Sequence, residues 1–311
     1  MRWDKKGLIF VPDGTDSIMH SHASIPFAFP RGNTIRIFFS SRDKQGRSHP
    51  FYVDVDRNDP REIIHIARTP LLPLGELGTF DDAGIMPSCI VESDGRLFMY
   101  YIGWNPKVTV SYHLSIGLAI SEDNGDTFRK YAASPVSDRS LEEPYFNTAP
   151  YVLKEGGLWR MWYISTTKWE IIHEYPEPFY HVKYATSTDG VHWKKEGIVC
   201  IDYNEYSQAI GRPCVFFEEG IYKMYYSYRS VEDYRHKRGA GYRIGYAESD
   251  DGIHWTRKDK MAGIALSDDG QSWDYNMIGY CHVFSVDGRK LMLYNGNGFG
   301  KSGFGYASWA E

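Results

Sequence analysis

The sequence repeats one pattern five times, and this constrains the fold more than any other feature. A short apolar run, an acidic or glycine turn and an aromatic-rich run recur at intervals of 61 to 68 residues. In the second copy the apolar run is residues 89–91, the turn is Asp94-Gly95 and the aromatic run is residues 97–101. The copies open at Pro26, Pro87, Pro150, Pro213 and Cys281. A repeat of this length implies an array of similar units, with any ligand site at its centre.

Each copy is typical of two antiparallel strands joined by a tight turn, because Asp-Gly and Glu-Gly pairs readily adopt positive φ. A third strand follows, then a Ser-x-Asp-Gly turn (at 187–190 and 249–252) and a fourth strand. Four-stranded antiparallel units repeated in this way form a β-propeller. The sequence therefore predicts an all-β, five-bladed propeller in one domain over residues 1–311. The predicted blades are 20–75, 82–135, 145–202, 208–265 and 276–311, the last completed by residues 7–11.

Composition narrows the class of ligand. The net charge of −5 comes from acidic and basic residues mixed throughout, unlike the basic stripe of a nucleic-acid binder. No apolar stretch is long enough to span a bilayer, and the first residues do not resemble a secretory signal, so we expect a cytoplasmic protein without a membrane partner. The four cysteines lack metal-ligand spacing and are expected to be buried thiols. Aromatic residues make up 16% of the chain, which suits β-structure and the stacking of sugars.

We predict that polar residues converge at one end of the units. They lie in the segment that leads into each first strand and in the residues that follow each second strand. Two carboxylates at such a mouth can divide the work of glycoside hydrolysis, one protonating the leaving oxygen and the other activating water or attacking carbon. We predict Asp82 and Glu143 as this catalytic pair. The predicted substrate-binding residues are His20, His22, Arg42, Trp104, Asn147, Arg212, Arg229, Asp274 and His282.

Arg212 occupies a distinctive position, directly before a repeat-opening proline. The equivalent positions in the other copies hold Ile25, Met86, Ala149 and Tyr280. A lone arginine in an apolar column needs an anionic partner, either a carboxylate of the protein or an acidic group of the substrate. Arg212, Arg42 and Arg229 at one mouth favour an acidic or phosphate-bearing sugar.

The layout resembles the five-bladed propeller glycosidases, the superfamily of arabinanases, β-xylosidases, invertases and β-mannoside phosphorylases. The resemblance rests on the repeats, on the turns at 187–193 and 249–255, and on the segment Gly279-Tyr280-Cys281-His282. It implies a small-molecule carbohydrate substrate. Those enzymes place aspartates where this chain has Ile25 and Met86, and a glutamate where it has Thr148.

We therefore predict a glycoside hydrolase-like enzyme that acts on a carbohydrate in an axial pocket. The alternatives are a non-catalytic carbohydrate-binding propeller and an enzyme acting on nucleotide-linked sugars. No cofactor is expected, although His20, His22, Asp82 or His282 could bind a single axial metal ion. The long insert from Thr166 to Tyr180 is expected to cover the pocket or to contact a partner.

Overall fold

The computed structural model describes residues 2–235 and 237–310. The fold is all-β, as the sequence predicts, with a 3₁₀ helix at Asp259–Met261 and a short helical turn, α1, at Asn297–Gly300. The strands are β1 Trp3–Phe10, β2 Ser21–Arg31, β3 Thr34–Arg42, β4 Ser48–Asp56, β5 Ile63–Ile66, β6 Gly84–Ser93, β7 Arg96–Pro106, β8 Tyr112–Ser121, β9 Arg129–Lys130, β10 Asn147–Glu155, β11 Leu158–Ile172, β12 Tyr175–Ser187, β13 Lys194–Ile201, β14 Ala209–Glu218, β15 Ile221–Arg229, β16 Arg243–Ser249, β17 Thr256–Arg257, β18 Gly279–Val286, β19 Arg289–Asn295 and β20 Phe304–Trp309.

Antiparallel pairing sorts the described strands into five groups of four. The groups are β2–β5, β6–β9, β10–β13, β14–β17, and β18–β20 with β1. The first strand of each group packs against the first strand of the next, and β18 packs against β2. The runs that open each sequence repeat are therefore brought together in the middle of the fold.

The first and last described strands pair with each other. β1 runs antiparallel to β20, from Trp3 opposite Trp309 to Phe10 opposite Phe304. The sequence predicts a shorter strand at residues 7–11. The strand starts earlier because Trp3 is buried, where its indole N–H donates to the hydroxyl of Tyr225 at 3.1 Å.

The Ser-x-Asp-Gly turns have internal hydrogen bonds and also join neighbouring groups. Ser187 Oγ accepts from the backbone N–H of Gly190 at 2.9 Å, and the Asp189 carboxylate accepts from the N–H of Val191 at 2.8 Å. The carbonyl of Gly190 in turn accepts a hydrogen bond from Tyr100 of the preceding group at 2.7 Å. These bonds account for the repeated turn without a ligand. In the described part of the chain, no helix has the length and apolar character needed to cross a membrane.

Candidate functional site

In four of the five groups, a residue with strained backbone lines a common cavity. Ile25, Ala149, Arg212 and Tyr280 have φ between 45° and 56°, and the strand register shifts at or next to each of them. Left-handed backbone is unfavourable for residues with a side chain, costing roughly 1–3 kcal/mol, and it concentrates at functional sites. Together with Met86, these residues line a cavity of about 480 Å³. The apolar column seen in the sequence is thus one wall of this cavity.

The cavity is rich in arginine and tyrosine, and we call it the arginine cavity. Its polar and aromatic lining consists of Arg42, Arg212, Arg229, Arg235, Trp104, Tyr112, Tyr175, Tyr180, Tyr234, Tyr242, Tyr280, Phe146, Phe299, Ser111 and Thr148. Among the lining residues that the structure describes, none is a carboxylate. Guanidinium and hydroxyl donors, with aromatic faces beside them, suit a ligand that is rich in acceptor atoms.

Arg212 is a buried charge without compensation. Its side chain is 1% exposed, and none of its three guanidinium nitrogens has a hydrogen-bond partner among the described residues. Its titratable neighbours include the thiols of Cys89, Cys214 and Cys281. Burial raises the pKa of all three thiols, that of Cys89 to about 12, so they are neutral near pH 7. Burial also lowers the pKa of Arg212, as expected where charge is unfavourable.

The other two predicted arginines also line the cavity. The Arg229 guanidinium stacks on the ring of Tyr234, with 3.6 Å from its central carbon to the ring centroid. Its Nη1 donates to the carbonyl of Ser230 at 2.9 Å, while its buried Nε has no partner in residues 2–235 and 237–310. Arg42 lies over the ring of Trp104 at 5.2 Å, and burial lowers its pKa. These stacked cations are held in place by aromatic rings, which leaves donor groups available to a ligand.

Thr148 adds a hydroxyl to the same donor set. It lies on β10, two residues before Pro150, and its buried Oγ1 has no partner within the described chain. Two further lining residues, Tyr180 and Tyr242, are joined through their hydroxyl groups. Glu177 does not line the arginine cavity, but its carboxylate accepts a hydrogen bond from Tyr234 at 3.0 Å and pairs with Arg235.

The structure brings four of the predicted site residues into the arginine cavity. These are Arg42, Trp104, Arg212 and Arg229. The remaining predicted residues do not line it, namely Asp82, Glu143, His20, His22, Asn147, Asp274 and His282.

Glu143 belongs to a structural cluster that recurs along the chain. It accepts a hydrogen bond from Tyr163 at 2.9 Å and pairs with Lys183 at 2.9 Å and Lys195 at 3.1 Å. Burial alone would raise the pKa of Glu143, but the two lysines outweigh it and hold the pKa below its usual value. The carboxylate is therefore ionised, as in a structural ion pair. Its Oε1 accepts from Tyr163 and Lys183, and its Oε2 has the ion-pair contact with Lys195 without a hydrogen bond from the described residues.

Equivalent clusters, which we call the tyrosine–carboxylate clusters, occur in three other groups. In each, a second-strand tyrosine donates to a carboxylate that also pairs with a cation. The members are Tyr101, Asp81 and Lys130; Tyr226, Asp259 and Arg257; Tyr294, Asp274 and Lys5. Asp274 is therefore in the same structural situation as Glu143. In the first group Phe39 stands at the tyrosine position.

Asp82 also has protein partners. Its carboxylate accepts from the backbone N–H of Gly78 at 2.8 Å and from the side-chain amide of Asn105 at 2.8 Å. These bonds fix the loop before β6. The contacts of Asp82 and Glu143 are those of structural residues. Their catalytic role stays a prediction from the sequence.

His282 and Asn147 have hydrogen-bond partners in the protein, and His22 lies near two cations. The Nδ1 of His282 accepts from the N–H of Ala28 at 3.1 Å, and burial together with Arg212 lowers the pKa of His282 to about 3. Burial, followed by the charges of Arg42 and Lys301, lowers the pKa of His22 to about 4. Asn147 is buried and its side-chain oxygen accepts from Lys195.

His20 lies just before β2 and is half-buried, with no partner for its Nδ1 among residues 2–235 and 237–310. Within those same ranges, no group of three or more histidine, cysteine, aspartate or glutamate side chains is arranged to hold a metal ion.

The cavity also contains residues that the sequence reasoning missed. Tyr180 and Tyr242 occupy equivalent places, two residues before Val182 and Ile244 of the third strands, and Tyr112 is the first residue of β8. A tyrosine near this point of the repeat was therefore a usable signal. Tyr234 and Arg235 belong to the connection between β15 and β16. This connection is longer than the corresponding ones of the other groups, so the repeat pattern did not predict where these residues lie.

Comparison with known proteins places the chain in a family. No family model matches the sequence. Two proteins of Mycobacterium tuberculosis, named Uncharacterized protein MT1551 (strain CDC 1551) and Uncharacterized protein Rv1502 (strain H37Rv), are each 40% identical over 310 residues, covering 99% of both chains. The chain belongs to the family of these two proteins. The alignment with each relative therefore spans the whole repeat array of this chain.

Solved structures show which fold the chain has. A protein titled "Glycoside hydrolase" superposes with a TM-score of 0.74 at 18% identity, covering 98% of this chain and 90% of that one. A thermostable family-43 glycoside hydrolase gives 0.68 at 16% identity, covering 96% and 91%. A family-32 β-fructofuranosidase of Bombyx mori gives 0.62 at 18% identity, covering 93% and 61%. This chain thus has the fold of the β-propeller glycoside hydrolases.

Proposed function

We propose that this protein is a carbohydrate-active enzyme of the glycoside hydrolase type, whose substrate carries a carboxylate or phosphate group. The observation that carries this proposal is the Arg212 guanidinium, which is 1% exposed and has no partner in the described part of the chain. An isolated buried cation is costly, and an anionic ligand group would supply both the opposite charge and the hydrogen bonds. Arginine suits this role because its planar fork matches carboxylate and phosphate oxygens.

We also propose that the five strand groups are five blades of one propeller domain, closed by β1. The contacts between successive first strands and the pairing of β1 with β20 support this arrangement. It would place the arginine cavity on the axis, where all five units contribute to it. The cytoplasmic location and the lack of a cofactor stay predictions from the sequence.

A non-catalytic carbohydrate-binding protein is the second candidate. It is favoured by the lack of a carboxylate among the described residues of the cavity wall, since glycoside hydrolysis ordinarily uses two. An enzyme acting on nucleotide-linked sugars is a third candidate. Four arginines in one cavity are compatible with the charge of a diphosphate.

Calorimetric titration with a small panel of sugars tests the proposal. We expect glucuronic acid or glucose 6-phosphate to bind and glucose to bind at least 100-fold more weakly, and UDP-glucose tests the nucleotide-sugar alternative. The variant Arg212→Met should lose at least 100-fold in affinity, because a bidentate charge-assisted contact is removed. Arg61→Met, at an exposed surface ion pair, is the matched control and should bind normally.

Two results would contradict the proposal. Equal affinity for glucose and its charged analogues, or unchanged binding in Arg212→Met, would show that the cavity does not recognise an anion. Binding of a charged sugar without turnover of any glycoside that contains it would leave the binding protein as the function.

A further inference from the structure

One hairpin of the fold is longer than its counterparts. β11 and β12 stay paired out to Ile172 opposite Tyr175, well beyond the end of the equivalent β15–β16 pairing at Tyr228 opposite Arg243. The extension is the insert at 166–180 that the repeat pattern leaves unexplained. Two contacts join it to another segment outside the repeat pattern, residues 230–235 of the loop that follows β15.

A buried glutamate fastens the hairpin to that loop. Glu177, on β12, is 2% exposed, accepts from the Tyr234 hydroxyl at 3.0 Å and pairs with Arg235. It also lies 4.0 Å from Nη2 of Arg229. Farther out, the guanidinium of Arg235 lies 4.9 Å from the centroid of the Tyr175 ring. Because the carboxylate is buried and has several partners, the two segments are held at a fixed separation.

The two segments enclose a second cavity of about 410 Å³, which we call the hairpin cavity. Its lining is Ile172, His173, Tyr175, Glu177, Val231, Asp233, Tyr234 and Arg235. Three of these residues, Tyr175, Tyr234 and Arg235, also line the arginine cavity. The two cavities therefore adjoin each other at these shared side chains. The volume falls within the range of small-molecule sites.

The two cavities differ in hydrogen-bonding character. The free groups of the arginine cavity are donors, as on Arg212 and Arg229, and suit an anion. The hairpin cavity has the exposed carboxylate of Asp233 and the exposed imidazole of His173, together with a guanidinium and a tyrosine ring. Sugar hydroxyls both donate and accept, and sugar faces stack on aromatic rings, so this mixture fits a neutral sugar unit.

We propose that the hairpin cavity is a second subsite, which binds a neutral sugar unit linked to the anionic unit in the arginine cavity. The ligand is then an anionic glycan of at least two units. This inference rests on the proposed function, because it takes the arginine cavity as the site of the charged unit.

Calorimetry with matched pairs of charged sugars tests the inference. The pairs are glucuronic acid with cellobiouronic acid, and glucose 6-phosphate with trehalose 6-phosphate. In at least one pair the disaccharide should bind at least tenfold more tightly than its charged monosaccharide. The double variant His173→Asn/Asp233→Asn changes two exposed residues that line only the hairpin cavity, and it should remove most of that gain while leaving monosaccharide affinity unchanged.

Asp250→Asn, an exposed change outside both cavities, should preserve the gain in affinity. A charged monosaccharide that binds, with no tighter binding of either disaccharide, overturns the second subsite and leaves the proposed function standing. Full retention of the gain in the double variant overturns it as well. If neither charged monosaccharide binds, the proposed function itself has failed.

Discussion

Glu143 and Arg212 are both buried charges, and their surroundings are opposite. Glu143 has three partners, Tyr163, Lys183 and Lys195, and its lowered pKa reflects them. Arg212 has none among the described residues, and its pKa is lowered by burial. A buried charge with partners serves the fold, whereas one without them is a cost that folding alone does not explain. Both were predicted as site residues because the sequence shows that a residue is charged but not which groups contact it.

The tyrosine–carboxylate clusters and the arginine cavity differ in the same way as Glu143 and Arg212. The tyrosine–carboxylate clusters recur in four strand groups of the described chain, each with a hydroxyl, a carboxylate and a cation. The arginine cavity is formed once, from side chains that differ between groups. Repetition therefore marks structural chemistry in this fold, and departure from the repeat marks the proposed ligand site.

Breaking a tyrosine–carboxylate cluster should have the largest effect on stability. Glu143→Gln leaves the ammonium groups of Lys183 and Lys195 beside a neutral amide, and loss of a buried partner costs about 3–5 kcal/mol. Urea unfolding should show this loss, and ligand affinity of the folded variant should stay at the wild-type level. A variant of normal stability that has lost activity would instead place Glu143 in the catalytic site.

Acid should destabilise the protein through His282. Its folded-state pKa of about 3 lies below the usual 6.5, so the unfolded chain takes up the proton first as the pH falls. The stabilising contribution is therefore complete above pH 6.5 and decreases as the pH falls toward the folded pKa, by about 3 kcal/mol between pH 6.5 and 4. Unfolding free energies measured against pH should fall less steeply for His282→Gln than for wild type, and equal slopes would contradict the assignment.

Arg212→Met should stabilise the free protein while it weakens ligand binding. Replacing a buried charge without partners by an apolar side chain of similar length removes a desolvation cost, and we expect a gain of about 2 kcal/mol. Thermal unfolding without ligand measures this gain. If the variant proves less stable than wild type, Arg212 is compensated in the free protein and the comparison with Glu143 fails.

The smallest effect should come from removing a single hydroxyl from a cluster. Tyr101→Phe deletes the bond to Asp81, which keeps its ion pair with Lys130 at 2.7 Å. A hydrogen bond to a charged group contributes about 1.5 kcal/mol, and urea unfolding can resolve this. Since Phe39 already stands at the equivalent position of the first group, the packing should accept the substitution; a loss as large as that of Glu143→Gln would mean that the hydroxyl holds the whole cluster together.

The repeat made the strand pattern predictable. The exceptional position of Arg212 within the repeat predicted a site residue, and Arg212 lines the arginine cavity. The hairpins, the pairing of β1 with β20 and the approach of Arg42, Arg212 and Arg229 to one cavity all follow from strand periodicity and from the proline positions. Glu143 and Asp274 were assigned to the site because each is a carboxylate that precedes a first strand. The sequence does not show whether a tyrosine of the next strand contacts such a carboxylate. Tyr234 and Glu177 meet through a loop and a strand extension outside the repeat, so no spacing predicted their contact.

The pairing of β1 with β20 has a consequence for biosynthesis. Among the described strands, β1 emerges from the ribosome first and its partner last, with roughly 300 residues between them. At ordinary rates of translation this interval lasts roughly 15 to 60 seconds. Throughout it, Trp3, Ile9 and Phe10, which are buried in the finished fold, lie on a segment that lacks its pairing partner. The nascent chain should therefore depend on chaperones that bind its earliest segment until synthesis is nearly complete.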